Sequence, residues 1–294
     1  MFDIAKYNEA ASVEEALELL AGDSEAKLIA GGTDILIRLR HGKIRDARLI
    51  GIRHIGELHR IEIDPTTGHL MIGAAVTFSQ LMDSSLLRTH VPLIAQAVSD
   101  VGGPQIRRVA TIGGNLCNGA PSADSAPALL VLNATLHIAG PGGTRQLPLS
   151  RFYQGPGQVD LNRGELLTAV SVAPADYSGL AGHYIKYAMR RAMDIATLGC
   201  AVACRVDADG VLQDVRLAFG VAAPTPIRCP QTEELFRGQI FTPDLAVEFG
   251  QAAAQEIQPR TSWRATREFR LHLAQELSRE ALTQSYVKAG GRLP

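Results

Sequence analysis

The stretch Thr111-Ile112-Gly113-Gly114-Asn115, followed nine residues later by Asp124, has an upstream echo in Ala30-Gly31-Gly32-Thr33-Asp34. Each is a Gly-Gly pair beside a hydroxyl residue, set among apolar residues. Glycine has no Cβ, so the chain can turn tightly and bring its N–H groups close to another molecule. Successive N–H groups in such a turn form a concave anion site. A helix opening just after Thr33 would add the positive end of its dipole. One pair alone is explained equally well by a strand-to-helix turn. Two in one chain suggest a single elongated ligand with a pyrophosphate, a dinucleotide. The usual dinucleotide fingerprint is missing, since Gly155-Pro156-Gly157 is too short and carries a proline. Gly42-Lys43 lacks the rest of a Walker A loop, and neither H-E-x-x-H nor G-x-S-x-G occurs, which argues against a zinc or serine hydrolase.

The length of 294 residues suggests about two domains. A net charge of −1 leaves no electrostatic footprint for nucleic acid. Apolar runs such as Ala126 to Leu132 are too short to span a bilayer. Met1-Phe2-Asp3-Ile4-Ala5-Lys6 has no basic stretch leading into an apolar run, so a cytoplasmic protein without membrane association is expected. Cys117, Cys200, Cys204 and Cys229 form no C-x-x-C pair and no zinc pattern. They are expected to be buried free thiols, with no metal site.

Ser12-x-x-Glu15 and Thr77-x-x-Gln80 are capping boxes at helix starts. Lys27 to Ala30 reads as a short buried strand, and Ile35 to Arg40 as a helix capped by Thr33 or Asp34. Ile61 to Ala74 reads as a hairpin, Pro92 to Val98 as a helix, and Gly102 to Asn118 as irregular. Ser122 or Asp124 opens a helix through Leu132. A second hairpin turns at Asp209-Gly210, between Cys200 to Val206 and Val211 to Val221. Leu245 to Ile257 and Trp263 to Tyr286 are helical. The loose composition between Ala173 and Gly182 suggests a domain boundary. Strands and helices alternate irregularly, so an α+β fold is expected.

Asp124 reads equally as an N-cap or as a carboxylate gripping a ribose hydroxyl or a flavin N–H. Lys186, between Tyr184 and Tyr187, is either an edge-strand lysine in water or a cation near an electron-rich ring. Arg190-Arg191 reads as a solvated pair, and His137 and His183 as ordinary strand histidines.

Taken together, Lys27-Leu28-Ile29-Ala30-Gly31-Gly32-Thr33-Asp34, Val109-Ala110-Thr111-Ile112-Gly113-Gly114-Asn115, Ser122-Ala123-Asp124, Gly164-Glu165-Leu166-Leu167, and Lys186 to Arg191 with Asp194-Ile195-Ala196 resemble the FAD-binding subunit of the molybdenum hydroxylases. That family includes bacterial xanthine dehydrogenases and carbon monoxide dehydrogenases. The resemblance covers nearly the whole chain. Phe219 to Pro226 and Arg260 to Arg264 look most like the flavin subunit of three-subunit xanthine dehydrogenases. The chain lacks the cysteine-rich insertion of one family branch, and has Ser99-Asp100 where animal relatives carry an aromatic residue.

The resemblance implies a two-subdomain FAD-binding fold of the vanillyl-alcohol-oxidase and CO-dehydrogenase-flavoprotein type over residues 1–177, split near 55–60. A smaller C-terminal α+β domain would cover 178–294. It implies non-covalent FAD held by Lys27, Leu28, Ile29, Ala30, Gly31, Gly32, Thr33 and Asp34, and by Val109, Ala110, Thr111, Ile112, Gly113, Gly114 and Asn115. Asn115 and Asp124 would fall along the ADP and ribose portion, and the Leu167 backbone and Lys186 near the isoalloxazine. A Cβ at Gly32 or Gly113 should then block binding more than it harms folding.

No residue need act as acid or base. The implied role is electron transfer in a xanthine or purine dehydrogenase. Electrons would pass from [2Fe–2S] clusters in one partner subunit through FAD to NAD⁺, with the molybdenum cofactor on another partner. Alternatives are a flavin subunit for CO, an aldehyde or another N-heterocycle, and, from another class, a non-catalytic nucleotide-binding assembly module.

Overall fold

The computed structural model describes residues 2–293. Three main sheets follow one another along the chain, with a fourth, two-stranded one between strands of the second. The first is parallel, with strands β1 (Ile4–Glu9), β2 (Lys27–Ile29) and β3 (Ala47–Gly51) in the order β1-β3-β2. Helices Val13–Gly22 and Ile35–Arg40 make the crossovers. Ser12 Oγ accepts from the Glu15 amide at 3.1 Å, as its capping box requires. The Glu15 carboxylate takes the amide of Ala11 at 2.7 Å instead of closing on Ser12. Strand β2 is not buried as expected: Lys27 is exposed, and Leu28 and Ile29 are half-buried. The reason is tertiary, because these residues line a cleft.

The second sheet is antiparallel. Its strands are β4 (Ile61–Ile63), β5 (Leu70–Gly73), β6 (Thr135–Gly140) and β7 (Gly143–Pro148). A small hairpin, β8 (Tyr153–Gly155) with β9 (Gln158–Val159), precedes the last strand, β10 (Leu166–Val172). The order is β4-β5-β10-β6-β7, so β10 sits in the middle. Six short helices lie between β5 and β6, and their apolar faces join the sheet in one core around Phe78, Leu81, Leu129 and Phe152. The box at Thr77 and Gln80 is complete. The segment expected to be irregular holds two helices, Pro104–Arg107 and Ile112–Cys117. Proline at N1 starts the first, and the Thr111 hydroxyl caps the second by accepting from the Gly114 amide at 3.1 Å.

The third sheet, β11 (Ala181–Tyr187), β12 (Leu198–Val206), β13 (Leu212–Gly220) and β14 (Ile227–Arg228), is antiparallel in sequence order. Helices Pro230–Phe236, Pro243–Glu256 and Arg267–Lys288 cover one face. The last helix begins four residues later than expected because Thr266 caps it, accepting from Phe269 at 3.2 Å. Strand alternation sorts the side chains of β12. Cys200, Val202 and Cys204 pack under those helices. Ala201 and Ala203 turn to the other core, where their small size lets helix Ser125–Val131 approach. Arg228 and Arg216 then donate to the terminal carbonyls of that helix, Leu130 at 2.8 Å and Val131 at 3.0 Å. Cations there satisfy orphan carbonyls and complement the dipole. All four cysteines are free, and burial pushes the Cys200 and Cys204 thiols up to about 12.

His183 of β11 lies on the seam with helix Pro92–Ser99. Its Nδ1 receives the Lys288 ammonium at 2.8 Å and faces the Gln96 amide at 3.2 Å. Burial and the Lys288 charge lower its pKa to about 4, against a smaller opposing pull from Glu280. The unfolded chain, titrating near pH 6.5, therefore binds a proton that the folded chain refuses. Stability is expected to fall as pH drops from about 6.5 to about 4. A His183→Gln variant should flatten that part of the profile in thermal melts. An unchanged slope would mean that other groups set it.

Candidate functional site

The two glycine segments meet. Gly31 follows β2 and packs against the carbonyl of Val109 so closely that a Cβ would lie 1.8 Å from that oxygen. Gly32, at φ +73°, turns the chain into helix Ile35–Arg40. None of the amides of Gly31, Gly32, Thr33 or Asp34 donates to an acceptor among the described residues. Asp34 is the N-cap of helix Ile35–Arg40, and the other three are open donors of the turn that leads into it; such a run of free amides suits an anion.

The second segment is built differently, and the turn expected there is absent. Gly113 and Gly114 sit inside the first turn of helix Ile112–Cys117. Ile112 N donates to Val76 O at 3.0 Å, Gly113 N to Ala74 O at 2.9 Å, and Asn115 N to Thr111 O at 3.0 Å. Gly114 N goes to the Thr111 hydroxyl. With these four amides engaged, this segment offers no backbone cradle of its own. Its glycines serve packing: a Cβ on Gly113 would lie 2.7 Å from both Cβ and O of Ala74. A Gly113→Val change should therefore strain the fold itself, contrary to the expectation of a binding defect alone.

Between the segments opens a cleft of about 750 Å³, within the range of small-molecule and cofactor sites. Of the residues expected in the site, Lys27 through Asp34, Ala110, Thr111, Gly113, Gly114, Asn115 and Leu167 line it. Val109 and Ile112 support it from behind. Asp124 and Lys186 are not on its wall. They form an ion pair at 2.9 Å, with side chains 7% and 6% exposed. Tyr184 donates to the other Asp124 oxygen at 2.7 Å, and Lys186 also donates to the Asp100 carbonyl at 2.9 Å. Burial raises the Asp124 carboxyl above its ordinary value despite the Lys186 charge. Asp124 occupies the N-cap position of helix Ser125–Val131 without making a capping bond. Lys186 is neither solvated nor on the cleft; with Tyr187 and Arg190 it borders a separate hollow of about 340 Å³.

Several cleft residues carried weaker signals. Asn118 Nδ2 donates to Asp34 Oδ1 at 3.0 Å and so ties the two glycine segments together. It stands three residues after Asn115, on the same helix face, and that spacing was the available clue. Asp34 makes no capping bond. Burial raises its carboxyl, opposed by the Arg38 charge and the Asn118 bond. Arg163 reaches across the mouth to the Ser24 carbonyl at 2.6 Å and to Glu25 at 2.9 Å. Both charged side chains are exposed, so that pair contributes about 0–1 kcal/mol. Glu165 is gripped by Arg145 through two bonds of 2.8 Å, which hold its carboxyl down at about 2 and pin the loop before β10. Cys117 lines the cleft with its thiol pushed up to about 12 by burial, an unreactive group. Among the described residues no cluster of three His, Cys, Asp or Glu side chains could hold a metal, and no helix is long and apolar enough to cross a membrane.

A cleft walled by two glycine segments, one with a free set of amides, suits a dinucleotide with a pyrophosphate. Comparison with known proteins agrees. The family model for the FAD binding domain in molybdopterin dehydrogenase matches residues 2–175, and the one for the CO dehydrogenase flavoprotein C-terminal domain matches 183–285. The chain belongs to the family of FAD-binding medium subunits of the molybdenum hydroxylases, and it is an oxidoreductase component.

A xanthine dehydrogenase FAD-binding subunit of Escherichia coli O157:H7 is 44% identical over 293 residues, covering 100% of both chains. The carbon monoxide dehydrogenase medium chain of Hydrogenophaga pseudoflava is 30% identical over 96% of this chain and 97% of that one. The solved carbon monoxide dehydrogenase of the same organism superposes with a TM-score of 0.91 at 28% identity, covering 98% and 99%. Quinoline 2-oxidoreductase of Pseudomonas putida 86 gives 0.91 at 25% identity over the same shares. The α+β, CO-dehydrogenase-flavoprotein fold is thereby shown.

Proposed function

We propose that the chain is the electron-transfer subunit of a xanthine or purine dehydrogenase, with FAD bound non-covalently in the cleft. The observation that carries the cofactor assignment is the convergence of both glycine segments on one cleft. The full-length likeness to xanthine dehydrogenase subunits favours xanthine over CO, aldehydes and other heterocycles. When bound, a flavin takes electrons singly and gives them up in pairs, which would link [2Fe–2S] clusters to NAD⁺. The residues of this chain bind and orient. The Gly31 to Asp34 amides hold the pyrophosphate at a helix N-terminus. Asn115 and Asn118 face the ligand from the second helix. Leu167 and the apolar wall of Ala110, Val101 and Ile106 exclude water from the ring. Asp124 and Lys186 act from outside the cleft, holding the C-terminal domain against it. The molybdenum cofactor and the [2Fe–2S] clusters belong to partner subunits, and the complex works in the cytoplasm.

An assembly module without flavin is disfavoured by the open amides of the first segment. Acid or heat should release flavin that chromatographs as FAD; FMN, a covalent adduct or no flavin in folded protein would refute the assignment. In anaerobic stopped flow, xanthine should bleach the flavin only when the molybdenum and iron–sulfur subunits are present, and NAD⁺ should then be reduced. Bleaching in the isolated chain would mean that it oxidises xanthine itself.

A further inference from the structure

One side chain on the cleft wall has its orientation set by a residue outside the cleft. Asn115 lies at the fourth position of helix Ile112–Cys117 and lines the cleft. Ser125, ten residues on, is the first residue of helix Ser125–Val131 and is 1% exposed. Its hydroxyl lies 2.7 Å from Asn115 Oδ1. A buried hydroxyl must place its single hydrogen or leave a donor unsatisfied. Among the described residues, Asn115 is the one hydrogen-bond partner of the Ser125 side chain. Donation to Oδ1 meets the need, whereas the flipped amide would set Asn115 N–H groups against a hydroxyl whose own hydrogen then has no acceptor. The asparagine carbonyl is therefore fixed inward and its Nδ2 amine is left for the cleft.

This orientation matters because of the electrostatics on the second helix. Its first-turn amides are all engaged by Ala74, Val76 and Thr111. The segment can offer a ligand hydrogen-bond donors only through side chains, and Asn118 already commits one N–H of its amine to Asp34. Asn115 Nδ2, with neither N–H engaged among the described residues, is then the fully free amide this helix presents, beside the Thr111 hydroxyl on the same wall.

Resting on the reading of the cleft as an FAD site, we propose that Ser125 is a positioning residue. It locks the Asn115 amide as a hydrogen-bond donor to an acceptor oxygen of the bound dinucleotide, and so supplies on the second helix what its backbone cannot. Ser125 touches no ligand and acts through Asn115 alone.

The test measures FAD affinity of the full-length, deflavinated chain by fluorescence quenching between pH 5 and pH 8, with circular dichroism on each variant. Ser125→Ala should weaken binding about three- to tenfold, the loss of one net hydrogen bond, without altering the spectrum. Asn115→Asp separates positioning from mere structure. At pH 8 its carboxylate presents an acceptor and a charge to the ligand, and affinity should fall at least tenfold. On acidification an adjacent anion and partial burial favour the protonated acid, whose O–H can replace the lost donor. Affinity relative to the unaltered chain should therefore recover toward pH 5. Asn115→Leu should show the loss at every pH. A flat pH profile for Asn115→Asp, or unaltered affinity in Ser125→Ala, would overturn the proposal. If the unaltered deflavinated chain binds no FAD at all, the underlying cofactor reading falls instead.

Discussion

Gly31→Val is expected to yield protein without bound flavin and with a clearly lowered melting midpoint. The added Cβ would lie 1.8 Å from Val109 O and 3.0 Å from Ala110 Cα. Both obstacles are backbone, so no flexible side chain can move aside. The two segments must separate, and the cleft between them is the site itself. Overpacking of this kind costs about 3 kcal/mol or more when the neighbours are rigid, a midpoint shift of roughly 6–12 °C for a domain of this size. The flavin-to-protein ratio and a thermal melt would check both parts. Gly142→Val is the control, because a Cβ there would meet nothing within 4 Å and its φ is not positive. A Gly31→Val protein that kept stoichiometric flavin and a normal midpoint would show that the seam between the segments does not hold the site together.

The second large effect belongs to Lys186. Lys186→Met should destabilise the protein by about 3–5 kcal/mol, because it leaves the nearly buried Asp124 carboxylate without its counter-charge. The double variant Lys186→Met/Asp124→Asn should recover much of that loss, since it removes both charges and leaves Tyr184 an acceptor oxygen. Denaturant titrations of the two singles and the double give the coupling energy directly. Flavin stoichiometry in the folded fraction should stay unchanged, as neither side chain lines the cleft. Lost flavin at undiminished stability would place the lysine at the isoalloxazine, where the family resemblance suggests it.

The local chemistry of the fold was legible residue by residue. The Thr77 box, Pro92 as a helix start and the Asp209-Gly210 hairpin each rest on groups a few positions apart, which interact before the chain is compact. Small shifts arose where a competing cap intervened, as Thr266 does ahead of the last helix. The pairs that define the site were not legible in this way. Asn118 finds Asp34 across 84 residues, and Lys186 finds Asp124 across 62. No periodicity encodes such meetings.

The α+β class, the family and the two glycine segments that wall the cleft can all be read from the residues, because glycine leaves a mark of its own wherever backbones must come close. The tertiary structure alone decided what each glycine is for. Near Gly31 and Gly32 the amides stay open because no strand edge reaches them, so the segment can receive an anion. Near Gly113 the turn after β5 supplies Ala74 and Val76 carbonyls, which consume the same kind of donors and turn an identical dipeptide into a packing surface. The difference lies in which acceptors the folded chain brings within hydrogen-bonding reach, and that is a property of the assembled sheets rather than of the residues in either stretch.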